Sequence, residues 1–174
     1  MSRPARPEPC PPSPSPGRAR CGVLLVQLGT PDEPEPAAVR RYLAEFLSDP
    51  RIVEIPRAAW LPILHGVVLR TRPARSARKY RQVWTDEGSP LLVNTRRQAS
   101  LLRGLLGEQG FELEVEFAMR YGNPSVPAVL RSMRDSGVDR LLVVPMYPQY
   151  SATTTASACD AVFAELGRWR DQPE

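Results

Sequence analysis

Residues 22–29 read GVLLVQLG and residues 30–36 read TPDEPEP. An unbroken apolar run of strand length closed by a glycine is the pattern of a parallel strand covered on both faces, since a strand with one wet face would alternate. Just past it, Asp32, Glu33 and Glu35 stand ahead of a segment, Ala37 to Leu47, where Val39, Tyr42, Leu43, Phe46 and Leu47 recur at helical spacing. Asp49-Pro50 ends that helix. A covered strand running straight into a helix predicts an α/β layer fold, and the rest of the chain repeats the theme.

Ile52 to Ile55 reads as a short extended piece, and the apolar Trp60 to Leu69, broken by Pro62, leaves its geometry open. Ala74 to Trp84 is charged and helical. After TDEGSP a long amphipathic helix covers about Leu91 to Leu106, and Phe111 to Met119 alternates as a strand running into RYGNP. Val126 to Ser136 is a helix stopped by Gly137. The wholly apolar Leu141 to Val144 follows as a strand, then the loop PMYPQYSATTT, then a helix from about Thr155 to Trp169. This order predicts an open, mostly parallel sheet flanked by helices. Ligands of such sheets sit beyond the carboxyl ends of the strands, so LGTPDE, MRYGNP and MYPQYSATTT are expected to converge on one crevice.

With 174 residues the chain holds one domain of ordinary size. Seven of its 20 prolines lie in residues 1–20, which cannot bury a core and are expected to form a disordered or PPII-like tail, leaving 21–174 as the folded unit. Proline also spoils a transit helix, and no apolar run there suits a secretory signal, so a cytoplasmic protein is expected. No window reaches the length of apolar sequence that a spanning helix needs. Cys10, Cys21 and Cys159 are odd in number and widely spaced, without a C-x-x-C pair. A net charge of +4 permits an acidic partner, but no basic run is interleaved with aromatics, which argues against nucleic acid.

LGTP lacks the glycine spacing of a dinucleotide loop, and Gly29 alone needs no more than a tight turn. In YPQYSATTT, Tyr147 and Tyr150 suit a flat apolar ligand with hydroxyls at its polar edges, while Thr153, Thr154 and Thr155 equally suit a helix cap. Arg72, Arg75, Arg78 and Tyr80 could hold carboxylates by charge-assisted hydrogen bonds or simply form a solvated helix face; Arg120 adds a cation at a strand end. His65, the one histidine, has no second ligand at metal spacing and reads as packed or at a helix edge.

Taken together, LLVQLGTP, YLAEFLSDPR, RPARSARKY followed by WTDEGSPL, MRYGNP and YPQYSATTTAS resemble the N-terminal lobe of ferrochelatases, in the same order, over about residues 22–173. The resemblance implies a two-lobed protein with a four-stranded parallel sheet in each lobe, which inserts ferrous iron into protoporphyrin IX or a related porphyrin in haem biosynthesis. It places the residues matching Arg72, Tyr80 and Ser89 near the porphyrin and its propionates, Leu28 against the macrocycle, and Arg120 and Tyr147 in the inner pocket. The family's metal-side histidine, in a short H-G or H-S segment, and its partner glutamate have no counterpart here. The chain is therefore expected to be a fragment, carrying the porphyrin-binding half with no catalytic or metal-binding residues of its own, and inactive alone. The alternative is a single lobe that binds porphyrin without metallating it. Iron and porphyrin are substrates, and no tightly bound cofactor is expected. Where some members hold an iron–sulfur cysteine this sequence has Ala152, so no cluster is expected. Trp60 to Leu69 would fall in the lip over the porphyrin, where such residues can touch a membrane surface or pack inward.

Overall fold

The computed structural model describes residues 20–174; the proline-rich tail and Cys10 lie outside the described residues. The elements are β1 (Cys21–Thr30), α1 (Pro36–Leu47), α2 (Arg57–Ile63), a π-helical turn (Leu64–Val68), α3 (Leu69–Val83), α4 (Pro90–Glu108), β2 (Glu114–Gly122), α5 (Val126–Asp135), β3 (Arg140–Pro145), a second π-helical turn (Ala152–Ala156) and α6 (Ser157–Leu166). The sheet is fully parallel in the order β2-β1-β3, with Val26 opposite Ala118 on one side and Pro145 on the other. The sheet is three-stranded, one strand short of what the resemblance implies for a lobe.

Both faces of β1 are covered, as its apolar run requires. Leu24 and Val26 pack with Ala118, Val129, Leu130, Met133 and Val162 under α5 and α6. Val23 and Leu25, pointing the other way, meet Ala99 of α4 and Val115. A third cluster stands beyond the carboxyl ends of β1 and β2, where Val39, Tyr42, Leu43 and Leu47 of α1 meet Leu64, Leu69, Ala77 and Tyr121. It attaches the α1–α3 region to the end of the sheet where ligands are expected.

Several elements depart from the sequence reading. Ile52 to Ile55 is no strand: the Ile52 and Val53 amides both donate to the Asp49 carbonyl, making a turn. Trp60 to Leu69 is helical throughout, and the helix does not wait for Ala74 to begin; Pro62 and Pro73 both lie inside helices. β2 starts at Glu114 because Phe111 belongs to the preceding helix end. There Gly110 takes φ +83° and the Phe111 amide donates to the Leu106 carbonyl, a Schellman-type closure. The threonines cap nothing: no side-chain cap bond forms at the last helix, which ends at Leu166 rather than Trp169.

Candidate functional site

Gly29 and Gly122, both at positive φ, bring the carboxyl ends of β1 and β2 together. Gly29 has φ +111°, and a Cβ there would stand 1.8 Å from the Tyr121 carbonyl oxygen, so only glycine permits the approach. The loops then join by side chains. Asn123 donates to Asp32 at 2.9 Å, and the Thr30 hydroxyl donates to Ser89 at 2.9 Å, which fastens the start of α4 to the end of β1. Tyr42 donates to the Gly29 carbonyl at 3.3 Å.

The segment after β3 enters through Asp49. Its Oδ2 accepts from Arg120 Nη2 at 2.6 Å, Tyr121 Oη at 2.7 Å and Ser157 Oγ at 2.6 Å, while Oδ1 accepts from the Arg51 amide at 2.7 Å. Arg120 Nε also donates to the Ser157 carbonyl and hydroxyl oxygens, both at 2.8 Å, and its guanidinium lies over the Tyr121 ring, 4.4 Å from the centroid. One carboxylate thus ties the end of α1, the end of β2 and the start of α6. Burial acts to raise the Asp49 pKa, but the hydrogen bonds from Ser157, Tyr121 and the Arg51 amide, with the Arg120 charge, outweigh it and hold the carboxyl below its ordinary value.

Leu28 and Tyr80 are half-buried against the same cluster at the sheet end, which contains Tyr121. Rings continue along it in contact: Trp84 on Tyr80, Tyr80 on Tyr42, Tyr42 on Phe46, Phe46 on Tyr121. Burial raises the phenol pKa of Tyr42, Tyr80 and Tyr121. Tyr147 packs on the α5–α6 side; burial pushes its phenol up to about 12 against the opposing charge of Arg120, and its hydroxyl is buried without a hydrogen-bond partner among the described residues. These phenols keep their protons near neutral pH, so they are donors and not bases.

Ser89 is buried, its hydroxyl occupied by Thr30. Arg72 is exposed to solvent. Arg70, Arg72, Arg75, Arg78 and Lys79 of α3 are all exposed, the helix contains no acidic residue, and of its cations only Arg81 has an ion pair among the described residues, with Glu35 at 3.1 Å. Tyr150, 73% exposed, does not join Tyr147 in one stacking surface. His65 is exposed, and no metal-sized group of three or more His, Cys, Asp or Glu exists among the described residues.

The structure therefore brings Leu28, Tyr80, Arg120 and Tyr147 to the carboxyl end of the sheet, sets Ser89 into the packing beneath and leaves Arg72 on the rim. Sequence reasoning missed Asp49, Tyr121 and Ser157. Asp49 was read only as a helix stop, and a hub whose members are 36 to 108 positions apart leaves no local spacing signal. A cavity of about 850 Å³ lies at the opposite end of the strands between Cys21, Arg103, Phe111 and Glu114, away from these groups.

A family model described as Ferrochelatase matches residues 20–174. A ferrochelatase of Methylibium petroleiphilum is 63% identical over 158 residues, covering 91% of this chain and 44% of its own length. One from Bordetella pertussis is 58% identical over 167 residues, 96% of this chain and 44% of that protein, and ferrochelatase 2 of Shewanella oneidensis is 56% identical over 156 residues, 90% and 48%. The chain spans less than half the length of these curated relatives.

Proposed function

Since the chain belongs to the ferrochelatase family, we propose that it is the porphyrin-binding half of a cytoplasmic enzyme that inserts ferrous iron into a porphyrin, and that alone it binds the macrocycle without metallating it. The observation that carries this reading is the pairing of a half-buried apolar and aromatic wall, Leu28 and Tyr80 over the ring chain, with the exposed cations of α3, five of which have no ion-pair partner among the described residues. A porphyrin is a flat apolar disc with carboxylates on its edge. The wall takes the disc by area and ring contact, while Arg72 on the rim supplies donors for carboxylates. Arg120 and Tyr147 are set deeper, Tyr147 with a buried hydroxyl that has no hydrogen-bond partner among the described residues.

Metallation also requires a group to take the two pyrrole protons as the metal enters. None of the site residues described above is free for this. Guanidinium groups stay charged, the phenols are pushed upward by burial, and both Asp49 oxygens are already accepting hydrogen bonds. The chain's part is thus to bind and orient the ring.

Membrane contact narrows to part of the expected segment. Trp60 donates its indole N–H to the Leu47 carbonyl at 2.7 Å and packs inward with Leu64 and Leu69. Ile63 and Val67, one helical turn apart, are exposed at 47% and 58% next to the cations of α3. We place any peripheral membrane contact there. Among the described residues no helix is long and apolar enough to cross a membrane.

The test is to titrate the purified chain with mesoporphyrin, then add ferrous iron without oxygen. Saturable quenching of porphyrin fluorescence with no spectral change to a metalloporphyrin is the expected result. No binding would remove the porphyrin reading, and metal insertion would remove the claim that the half is inert.

A further inference from the structure

The cavity of about 850 Å³ at the amino ends of the strands belongs to no part of the site described above, and Arg20, the first described residue, lies in its lining. Arg20 is fixed there. Its carbonyl accepts from the Asp139 amide at 3.0 Å and the Arg140 amide at 3.3 Å, and its guanidinium donates to the Ser136 carbonyl. Residues 1–19 therefore join the folded unit at this cavity. Its walls combine two chemistries. Phe111, 47% exposed just past the end of α4, and the half-buried Leu113 give an apolar and aromatic strip. Glu112, Glu114 and Glu116 set three carboxylates along the same stretch, against the cations Arg103 and Arg20. Arg103 is already engaged, donating to the Val115 carbonyl and to Glu116 at 2.9 Å, whereas Glu114 accepts from the neutral Ser136 hydroxyl at 2.7 Å. The lining is acidic on balance, in a chain whose net charge is +4.

We propose that this cavity is the docking site of the chain's own proline-rich segment, residues 7–16. The segment reads PEPCPPSPSP, with six prolines in ten residues; Arg3, Arg6 and Arg18 flank it, and Glu8 is the single acidic residue before Arg20. A proline-rich peptide suits a strip where an exposed aromatic ring meets carboxylates. It loses little conformational entropy on binding, its pyrrolidine rings pack on the aromatic face, and a flanking guanidinium takes a carboxylate. The covalent connection makes weak contacts sufficient, because a segment joined through a short linker meets its site at a millimolar effective concentration. Here the linker is residues 17–19, Gly-Arg-Ala. The match to the family model begins at residue 20, so the segment lies outside the shared fold.

The test uses the full chain with Cys21→Ser and Cys159→Ser, so that a nitroxide spin label attaches to Cys10 alone, and reads the paramagnetic broadening of backbone amide signals. Docking is expected to broaden the amides of Gly107, Phe111 and Glu114 well beyond those of Gly122 and Asn123 at the far end of β2. Phe111→Ala, a change at an exposed position, is expected to cut that broadening about fivefold. Replacing Pro9, Pro11, Pro12 and Pro14 by Ser should have the same effect, and this variant leaves the folded unit untouched. A mixture of spin-labelled chains with isotope-labelled chains that carry no spin label identifies whose tail is bound: broadening in the mixture would place a second copy's segment in the cavity and overturn docking within one chain. Broadening without preference for the cavity, or broadening there that neither the Phe111 nor the proline variant reduces, would overturn the proposal as well.

Discussion

Removing the Asp49 carboxylate leaves Arg120 as an unmatched, mostly buried cation and takes an acceptor from Tyr121 and Ser157 at once. Breaking such a pair from one side costs more than the pair itself contributes, because the partner stays desolvated. Asp49→Ala is expected to lower unfolding free energy by about 3 kcal/mol, read as a drop in the urea midpoint. The pH dependence has a fixed sign. The folded carboxyl titrates below its unfolded value, about 3.9, so its stabilisation is fully present above that pH and is lost as pH falls through the lower, folded value. Wild-type stability should therefore decline in acid more steeply than that of Asp49→Asn, and equal slopes would show that the carboxyl is not held in its charged form.

Pro62 broke the apolar segment Trp60 to Leu69, and the helical path there, which continues through Pro73, was not legible from the sequence. The structure runs helically through both because Leu64 and Leu69, 0% and 2% exposed, dock against α1 and Tyr121, and tertiary burial overrides a local preference. The intervening π-helical turn is the kind of local adjustment that accompanies broken backbone pairing. Leu64→Ala should cost about 3 kcal/mol of stability, since it opens a cavity at a fully buried position; a change near zero would mean that the helical run from α2 to α3 is not anchored by this contact. Ile63 and Val67 sit on the exposed face of the same run. Replacing both by Glu should leave the urea midpoint nearly unchanged and reduce co-sedimentation with anionic vesicles severalfold. Undiminished sedimentation would move the membrane contact elsewhere.

β1 and β3, by contrast, were legible from their unbroken apolar runs, and α1 and α5 from helical spacing and clear stops. Phe111 misled because its alternation with Glu112 and Leu113 imitates a strand while its amide closes α4. The site was half legible. Leu28, Tyr80, Arg120 and Tyr147 were named from the resemblance, but the hub that holds Arg120 is assembled by folding from three separate segments, the end of α1, the end of β2 and the start of α6.

At the scale of the whole molecule, several large apolar side chains remain exposed. Leu142 on the edge strand β3, Phe163 on α6 and Leu101 on α4 are 60%, 68% and 73% exposed, and the aromatic wall is covered on one side only. The most direct measurement is mesoporphyrin binding to the wild-type chain and to Arg72→Ala at low ionic strength. If the rim of α3 receives the carboxylates, the wild type binds saturably, and losing a charge-assisted contact worth about 1.5 kcal/mol weakens it roughly tenfold, with the difference shrinking as salt is added. Equal affinity for the two proteins at every salt concentration, or no binding by either, would contradict the porphyrin site described at the carboxyl end of this sheet.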